Sequence, residues 1–479
     1  MRPTVRTALA ALTVAAVAGG GLLLPTGVAA AAPLPAPKAD FNGDGFADVV
    51  VGTPNADVGE VRAAGQAVVL YGSASGVTAS KRQLLTQASP GVPDDPEAGD
   101  GFGGVSAVGD FDGDGFSDLA VTAHCEDKCA GGLTVVWGSK SGLTGGVTLD
   151  DPDRIAEPTV NNRRTWGGKL AAGDFDGDGK DELVVAASAV APATTSSTLY
   201  TFRNIARSGA QAAPAKTQVA FRLTTSLEGI ASGDVNGDGR DDLVLAGTVN
   251  SLNHYVPGSP TGLLPAAAKP IAAGSSQAIG DINGDGYGDV VIGNRYGAKG
   301  GQVLVAYGSA AGPSATPVAI DQDTPGVPGV DEQNDGFGVS VALGDVDGDG
   351  YQDLAVGAYG EALGTVSNAG TVHLFRGSAS GLVTGTGVVA LSRNSAGVPG
   401  DARRAEQFGV ETKLTDVNKD GKADLIVGAP DADGVNAGSV TYLQSSGTKV
   451  GGTGSRMIVP AQVGLTPRGS LAFGAHFDH

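Results

Sequence analysis

The sequence predicts an all-β fold, namely a seven-bladed β-propeller with four-stranded antiparallel blades and a ring closed by the C-terminal strand, which completes the first blade. Two observations predict it. An acidic loop followed by an apolar strand occurs seven times in the 479 residues. The two ends of this array also look like complementary halves of one repeat. Repetition of one unit along a chain is typical of closed propellers and of open solenoids.

The first acidic loop lies in "DFNGDGFADVVVG", which runs from Asp40 to Gly52. Its beginning is similar to an EF-hand, but an EF-hand needs a bidentate carboxylate at its twelfth position, after a helix has begun. Here the twelfth residue is Val51, and the β-branched run "DVVVG" predicts a buried strand. The pattern that remains has Asp or Asn at positions 1, 3 and 5, a main-chain carbonyl at position 7 and a carboxylate at position 9.

Copies of this loop start at positions 40, 110, 174, 234, 281, 345 and 416, so the repeat is near 64 residues long. We predict one metal site in each loop. The predicted ligands, with the position-7 residue contributing its carbonyl, are Asp40, Asn42, Asp44, Phe46 and Asp48; Asp110, Asp112, Asp114, Phe116 and Asp118; Asp174, Asp176, Asp178, Lys180 and Glu182; Asp234, Asn236, Asp238, Arg240 and Asp242; Asp281, Asn283, Asp285, Tyr287 and Asp289; Asp345, Asp347, Asp349, Tyr351 and Asp353; and Asp416, Asn418, Asp420, Lys422 and Asp424.

Oxygen ligands at alternate positions of a tight loop can converge on one hard cation, and glycine at position 6 permits the sharp turn. The pattern has no sulfur or imidazole ligand, which favours Ca²⁺, up to seven ions with one in each blade. The alternative is that Asp, Asn and Gly are turn residues without a metal. The loops hold 24 of the 51 acidic residues, and the net charge of −20 disfavours a nucleic-acid partner.

The N-terminal segment divides the chain into a predicted secretory signal peptide at residues 1–31, a short linker at 32–39 and the propeller at 40–479. Two arginines, an apolar core and a small-residue end predict cleavage near Ala30 or Ala31. A transmembrane anchor is the alternative, but three consecutive glycines and Pro25 interrupt the apolar run. The expected location is therefore extracellular, with no membrane span elsewhere in the chain.

The only two cysteines are Cys125 and Cys129, in "CEDKC". In an oxidising compartment they are expected to form a small loop-closing disulfide. The neighbouring His124 suggests zinc as an alternative, but a fourth ligand is missing.

The repeats often continue with a glycine corner such as "VGAP" and a second strand, and a turn such as "GSASG" follows in five places. The turn is similar to the Gly-x-Ser-x-Gly elbow of hydrolases, but its middle residue is not serine, so a hairpin turn is expected. An aromatic residue lies eight residues before the second, third, sixth and seventh loops, at Phe102, Trp166, Phe337 and Phe408. Phe473 and Gly474 end the chain with the same motif. These residues can supply the strand that the first repeat lacks, whereas an open solenoid would require capping repeats.

The motifs "FG", "DxDxDGxxD" and "GAP", in this order, resemble FG-GAP repeats, the units of the integrin α-subunit N-terminal propeller. The chain also resembles bacterial secreted FG-GAP or VCBS repeat proteins over residues 40–479. The resemblance implies Ca²⁺ at loop positions 1, 3, 5 and 9. The full set of motifs occurs in the last repeat, and all seven repeats carry a metal loop, whereas integrin propellers carry them in some blades.

This resemblance implies an extracellular binding or adhesion module, which we expect to be monomeric, with an extracellular protein or glycan as its ligand. Three similar segments, "SPGVPDDPEAGDGFG", "TPGVPGVDEQNDGFG" and "SAGVPGDARRAEQFG", are candidates for contacting it or are family-typical loops without a ligand. A secreted enzyme and a lectin-like sugar binder are alternatives. None of the five histidines has the spacing of a catalytic triad or a metalloprotease, and His373 is expected to be a packing or outward strand residue.

Overall fold

The computed structural model describes residues 39–155, 163–191, 194–208, 211–217, 227–247, 253–297, 299–385, 387–431, 437–466 and 470–478. The predicted signal peptide and nearly all of the linker lie outside these residues. Among the described residues the helices are short: α1 is Glu126–Cys129, and two 3₁₀ helices are Pro265–Ala267 and Pro460–Val463. No helix in these ranges is long and apolar enough to cross a membrane.

The strands form seven antiparallel sheets, six with four strands and the first with three, and hydrogen-bonded neighbours follow one another along the chain. This confirms the predicted seven-bladed propeller. The blades are β1 Val49–Thr53, β2 Gln66–Leu70 and β3 Arg82–Leu85; β4 Phe102–Gly109, β5 Asp118–Ala123, β6 Gly132–Trp137 and β7 Thr144–Thr148; β8 Arg163–Gly173, β9 Glu182–Ala191, β10 Thr194–Phe202 and β11 Ala215–Thr217; β12 Gly229–Gly233, β13 Asp242–Ala246, β14 Asn253–Val256 and β15 Lys269–Ile271; β16 Ser276–Gly280, β17 Asp289–Asn294, β18 Gln302–Ala306 and β19 Val318–Ile320; β20 Phe337–Gly344, β21 Asp353–Ala358, β22 Thr371–Phe375 and β23 Val389–Leu391; and β24 Glu411–Thr415, β25 Asp424–Ala429, β26 Ser439–Leu443 and β27 Arg456–Ile458.

The core lies between neighbouring blades. The strand that follows an acidic loop is buried on both faces, as in β1, β5, β13, β21 and β25, where every residue is buried. One apolar cluster, for example, joins Val50 of the first blade to Phe102 and Val121 of the second. Because both faces of these strands pack on neighbouring blades, their sequences are continuous runs of β-branched residues and leucine.

The aromatic residue of each "FG" motif joins its blade to the preceding one. Its backbone N–H donates to the carbonyl of the residue before a glycine of that blade. These hydrogen bonds join Phe102 to Ala64 at 2.9 Å, Trp166 to Ala130 at 3.2 Å, Phe337 to Gly300 at 2.9 Å, Phe408 to Ala369 at 3.0 Å and Phe473 to Ala437 at 3.1 Å. The repeated aromatic therefore marks the point where one blade is attached to the next.

The glycines of "FG" and "GAP" touch each other across the blade boundary. A Cβ atom added to Gly357 would collide with the carbonyl oxygen of Gly409, and one added to Gly428 would collide with that of Gly474. Gly409 and Gly474 also have φ of +93°, which disfavours other residues. The glycine of the "GAP"-type corner is therefore required by the close approach of the carbonyl of the next "FG" glycine.

Among the described residues no strand precedes β1 in the first blade, and residues near the C-terminus lie beside β1 in that place. Val51 forms an antiparallel bridge with Phe477, and Gly52 donates to the carbonyl of His476 at 3.0 Å. The N–H of Val50 donates to Oδ1 of Asp478 at 2.9 Å, and Nζ of Lys413 donates to its Oδ2 at 2.6 Å. These contacts join the end of the chain to both the first and the seventh blades.

The structure also describes the two cysteines and His373, which the sequence analysis singled out. Cys125 and Cys129 form a disulfide across α1. His373 is a packing residue, since it is 1% exposed and its Nε2 lies 2.8 Å from the carbonyl oxygen of Pro328.

Replacement of Asp478 by alanine tests the join between the two ends. We expect the Asp478→Ala variant to lose about 2–4 kcal/mol of unfolding free energy, because Val50 loses an acceptor and Lys413 loses its anionic partner. Urea unfolding followed by tryptophan fluorescence measures it. The exposed carboxylate Asp95, replaced by alanine, is the control, and equal midpoints for the two variants would show that the join adds no stability.

Candidate metal centre

The seven acidic loops form a ring on one face of the propeller. In every loop the backbone N–H at position 8 donates to the carbonyl of position 1 in the preceding loop. The bonds run from Ser117 to Asp40 (3.1 Å), Asp181 to Asp110 (3.2 Å), Asp241 to Asp174 (2.9 Å), Gly288 to Asp234 (2.9 Å), Gln352 to Asp281 (3.1 Å), Ala423 to Asp345 (2.6 Å) and Ala47 to Asp416 (3.4 Å). The last of these bonds closes the ring between the first and seventh loops.

Side chains at position 7 pack against position 4 of the preceding loop. Phe116 lies over Gly43, Tyr287 over Gly237 and Tyr351 over Gly284 in this way. In the seventh loop position 4 is Lys419, whose ammonium lies 5.7 Å from the centre of the Phe46 ring in the first loop. Glycine at position 4 therefore makes room for the neighbouring loop. The role of the position-7 carbonyls as ligands stays a prediction.

Within a loop the first carboxylate organises the backbone. In the second loop, Oδ1 of Asp110 accepts from Gly113 at 2.8 Å and from Asp114 at 3.0 Å, and its Oδ2 accepts from Gly115 at 2.9 Å. Oδ1 of Asp112 accepts from Asp114 at 3.1 Å. The bond from position 6 to position 1 recurs in all seven loops. These hydrogen bonds turn the carboxylates at positions 1 and 3 toward the inside of the loop.

The carboxylate at position 9 ties the loop to a second turn. Oδ2 of Asp118 accepts from the N–H of Phe111 at 3.1 Å, and its Oδ1 accepts from the N–H of Gly138 at 2.8 Å. Gly138 begins the turn "GSKSG". Gly72, Gly258, Gly308 and Gly377 donate in the same way to Asp48, Asp242, Asp289 and Asp353. The sequence predicted a hairpin turn at these glycines. It did not show that the turn donates to the position-9 carboxylate, because the loop and the turn are separate connections of the blade.

Burial makes the position-9 carboxylic acids weaker than usual, because it raises their pKa values. It raises the pKa of Asp118 to about 8 and those of Asp48 and Asp424 to about 7, although backbone N–H donors oppose the shift. Burial also raises the pKa of Glu182 to about 7 and those of Asp242, Asp289 and Asp353 to about 6. A nearby cation would favour the ionised form of each group.

Three loops bring carboxylates closest together. Among the described residues, sets of ligand oxygens within 4.8 Å of one another occur in the second, third and sixth loops: Asp110, Asp112 and Asp118; Asp174, Asp176, Asp178 and Glu182; and Asp345, Asp347 and Asp353. These are the loops with Asp at position 3. Asp114 and Asp349, at position 5, lie outside their sets.

The other four loops have Asn at position 3, and in three of them the amide nitrogen donates within the loop. Nδ2 of Asn283 lies 3.0 Å from Oδ2 of Asp285. Asn236 and Asn418 make longer contacts, of 3.4 Å to Asp242 and 3.5 Å to Asp424. In the first loop, Oδ1 of Asn42 accepts from Asp44 at 2.9 Å. An amide donor reduces the repulsion between carboxylates without a metal.

Arginine side chains contact each carboxylate at position 3. Arg203 lies 2.8 Å from Asp176, Arg376 lies 3.4 Å from Asp347, and Arg207 pairs with Asp112. Each arginine supplies one positive charge to a loop of four carboxylates, so a net negative charge remains. The oxygen-only donor sets and their short separations fit a hard divalent cation, and the fit is best in the second, third and sixth loops.

Segments of the chain match the FG-GAP repeat family at residues 38–70, 337–375 and 408–443, and the FG-GAP-like repeat family at 110–185, 174–245 and 234–292. These segments include strands of all seven blades. The chain therefore belongs to the FG-GAP repeat propellers.

Several known proteins resemble part of the chain. The phosphatidylinositol-glycan-specific phospholipase D of Rattus norvegicus is 32% identical over 152 residues, which are 31% of this chain and 17% of the phospholipase. Integrin alpha-PS5 of Drosophila melanogaster is 33% identical over 152 residues, which are 31% of this chain and 14% of the integrin. A solved Lactobacillus plantarum protein has 12% identity and a TM-score of 0.46 over 85% of this chain and 95% of its own, too low to support an inference.

Two conservative variants of the sixth loop separate metal binding from structural support. We expect Asp347→Asn to lower the rise in melting temperature on adding Ca²⁺, because it removes a ligand charge, and to change the melting temperature in EDTA little. We expect Asp353→Asn to lower the Ca²⁺-induced rise as well, because it also removes a ligand charge, and in addition to cost about 1–3 kcal/mol in EDTA, because one backbone N–H loses its acceptor. Melting of both variants in EDTA and in Ca²⁺ measures this, and the same response from both would contradict the separate roles.

Proposed function

We propose that the protein is a secreted, calcium-binding propeller that acts as an extracellular binding or adhesion module. The observation that carries the proposal is the ring of seven acidic loops, joined by backbone hydrogen bonds on one face. Each loop holds at least three carboxylates, and fixing them side by side raises their mutual repulsion. Divalent cations would relieve that repulsion in a calcium-rich extracellular medium.

In the second blade, Asp110, Asp112 and Asp118 would hold the ion, and Asp174, Asp176, Asp178 and Glu182 would do so in the third. A bound Ca²⁺ supplies charge neutralisation and a cross-link between the loop and the turn that its position-9 carboxylate holds. Since the loops also bind one another, calcium would stabilise several blades together.

A ligand would use the opposite face. Metal loops follow the first strand of a blade, and "GSxSG"-type turns follow the third, so the antiparallel order places both at the same ends of the strands. Connections after the second and fourth strands emerge on the other face. The three "GVP" segments, at residues 86–101, 321–336 and 392–410, are connections of this kind.

Exposed apolar side chains support this assignment. Tyr296 is 57% exposed and Val330 is 62% exposed, and both lie in connections of the ligand face. The guanidinium of Arg295 lies 4.7 Å from the centre of the Tyr296 ring. Tyrosine and arginine are enriched at recognition surfaces for proteins, and aromatic rings also stack on sugars.

The calcium proposal is tested by melting the purified chain in EDTA, in Ca²⁺ and in Mg²⁺. We expect a large rise in melting temperature that is specific to Ca²⁺. The Asp112→Ala variant should show a smaller rise, since one site is weakened, whereas the exposed control Glu60→Gln should behave as the wild type. Equal melting temperatures in EDTA and Ca²⁺ would show that the acidic loops are turn structures alone.

The ligand face is tested by binding to cell surfaces and to arrayed glycans. We expect the double variant Tyr296→Ala and Val330→Ala to bind at least about tenfold more weakly, since exposed anchors contribute most of the energy at such surfaces, with an unchanged melting temperature. The matched control is Leu264→Ala, because Leu264 is 42% exposed and lies in a connection on the metal face. If the control weakens binding and the double variant does not, the ligand uses the metal face.

A further inference from the structure

The three acidic loops with Asp at position 3 share a feature that sets them apart from the four loops with Asn. Each has a fourth carboxylate, and an arginine contacts the carboxylate at position 3. The pairs are Arg207 with Asp112, Arg203 with Asp176 and Arg376 with Asp347. Four carboxylates and one arginine carry the same net charge as the three carboxylates of an Asn loop. The extra acid and the arginine therefore come together.

Two of these arginines stand at the same place in their blades. Leu183 pairs with Phe202 and Leu354 pairs with Phe375, so Arg203 and Arg376, the next residues, correspond. The second blade has Trp137 at this place, and the guanidinium of Arg207 lies 5.2 Å from the centre of its ring. The four blades with Asn loops have no basic residue there, since they have Tyr71, Pro257, Tyr307 and Gln444.

The tyrosines at this place bond away from their own loops. The hydroxyl of Tyr71 donates to Oε1 of Gln83 at 2.5 Å, and that of Tyr307 accepts from the N–H of Leu382 at 3.1 Å. An arginine at the same place reaches the loop instead. The difference at this one place thus follows the difference between Asn and Asp at position 3.

Basic side chains that contact Asn loops use another carboxylate. Lys81 lies 3.2 Å from Asp44, and Arg240 lies 3.2 Å from Asp238. Both acids are at position 5. In the second and sixth loops the position-5 carboxylate lies outside the set of converging oxygens. Contact between a basic side chain and position 3 is therefore found, among the described residues, in the loops with Asp at that position.

The arginine of the sixth loop bridges two of the predicted metal ligands. Oxygens of Asp345, Asp347 and Asp353 lie within 4.8 Å of one another. Nη1 of Arg376 lies 2.8 Å from Oδ2 of Asp353 and 3.4 Å from Oδ2 of Asp347. An ion bound to the same two carboxylates would lie close to this nitrogen. Like charges at short range in a partly buried place repel strongly.

The arginine does not satisfy the whole loop, and it has a second place to bind. Oδ1 of Asp347 is buried without a hydrogen-bond partner. A calcium ion takes six to eight oxygen ligands, more than one guanidinium nitrogen can serve. Nη2 of Arg376 also donates to the carbonyl of Gly447 at 3.2 Å, in the turn of the seventh blade. The guanidinium can therefore leave the carboxylates and keep this bond.

The arginine of the third loop is placed in the same way. Nη1 of Arg203 lies 2.8 Å from Oδ2 of Asp176. Its Nη2 lies against Gly262, where an added Cβ atom would collide with it. Gly262 belongs to the turn of the fourth blade, as Gly447 belongs to the turn of the seventh. Each guanidinium thus lies between the acidic loop of its own blade and the turn of the next.

We propose that Arg203, Arg207 and Arg376 are internal counterions that exchange with calcium. Each stabilises its loop when the ion is absent and leaves the carboxylates when the ion binds. The competition lowers the calcium affinity of the second, third and sixth loops. This inference rests on the proposed function, because it requires that calcium binds the loops.

Replacement of Arg376 by glutamine tests the competition in solution. We expect Arg376→Gln to melt at a lower temperature than the wild type in EDTA, because two carboxylates lose their cation. We also expect one site to fill at a free Ca²⁺ concentration at least about tenfold lower, because the competing charge is gone. Equilibrium dialysis over a range of free Ca²⁺, with elemental mass spectrometry, measures this filling.

The matched control is Arg456→Gln, which removes an arginine whose described hydrogen bonds go to backbone carbonyls. It should fill its sites as the wild type does. If Arg376→Gln fails to fold, Arg207→Gln replaces it, because the Arg207 side chain is 42% exposed, and the same gain is expected for the second loop. Unchanged or weaker calcium binding in the folded arginine variant would overturn the proposal.

Crystals of the wild type grown in EDTA and in Ca²⁺ test the movement itself. We expect Nη1 of Arg376 within about 3.5 Å of Asp353 in EDTA and beyond that distance in Ca²⁺, with an anomalous calcium signal in the sixth loop. An ion there with Arg376 still on both carboxylates would overturn the exchange. No calcium in any of the seven loops would reject the proposed function together with this inference. Calcium in the loops, with unchanged affinity in Arg376→Gln, would reject this inference alone.

Discussion

Seven backbone hydrogen bonds join the acidic loops into one ring, and the rest of the molecule depends on them. Each bond runs from position 8 of one loop to the first carbonyl of the preceding loop, so every blade is held at the angle of its neighbour. The ring also closes through Ala47 and Asp416. This arrangement concentrates nearly half of the acidic residues on one face. The stability of the ring therefore depends on how the repulsion between its carboxylates is reduced.

Three kinds of group can reduce this repulsion. Asparagine at position 3 replaces one carboxylate and, as in Asn283, donates to a neighbouring one. Where position 3 is Asp, an arginine contacts its carboxylate, as Arg203 does with Asp176. A divalent cation would supply the remaining charge.

The position-9 carboxylate explains why metal binding would be coupled to folding. Asp118 accepts from its own loop and from the turn at Gly138, so it belongs both to the metal site and to the join between strands. Burial raises its pKa to about 8, and a cation would oppose that shift. The opposite face, which we propose for ligand binding, exposes side chains such as Tyr296.

Sequence alone determined the strand order, the number of blades and the acidic loops, because each depends on local spacing that repeats along the chain. It also placed Phe473 as a counterpart of Phe102, and both aromatics attach to a preceding blade. Only the tertiary structure showed which carboxylates converge and which arginines, distant in sequence, contact them, such as Arg207 beside Asp112. It also decided the pairing of "FG" with "GAP"-type glycines, because those contacts join different blades.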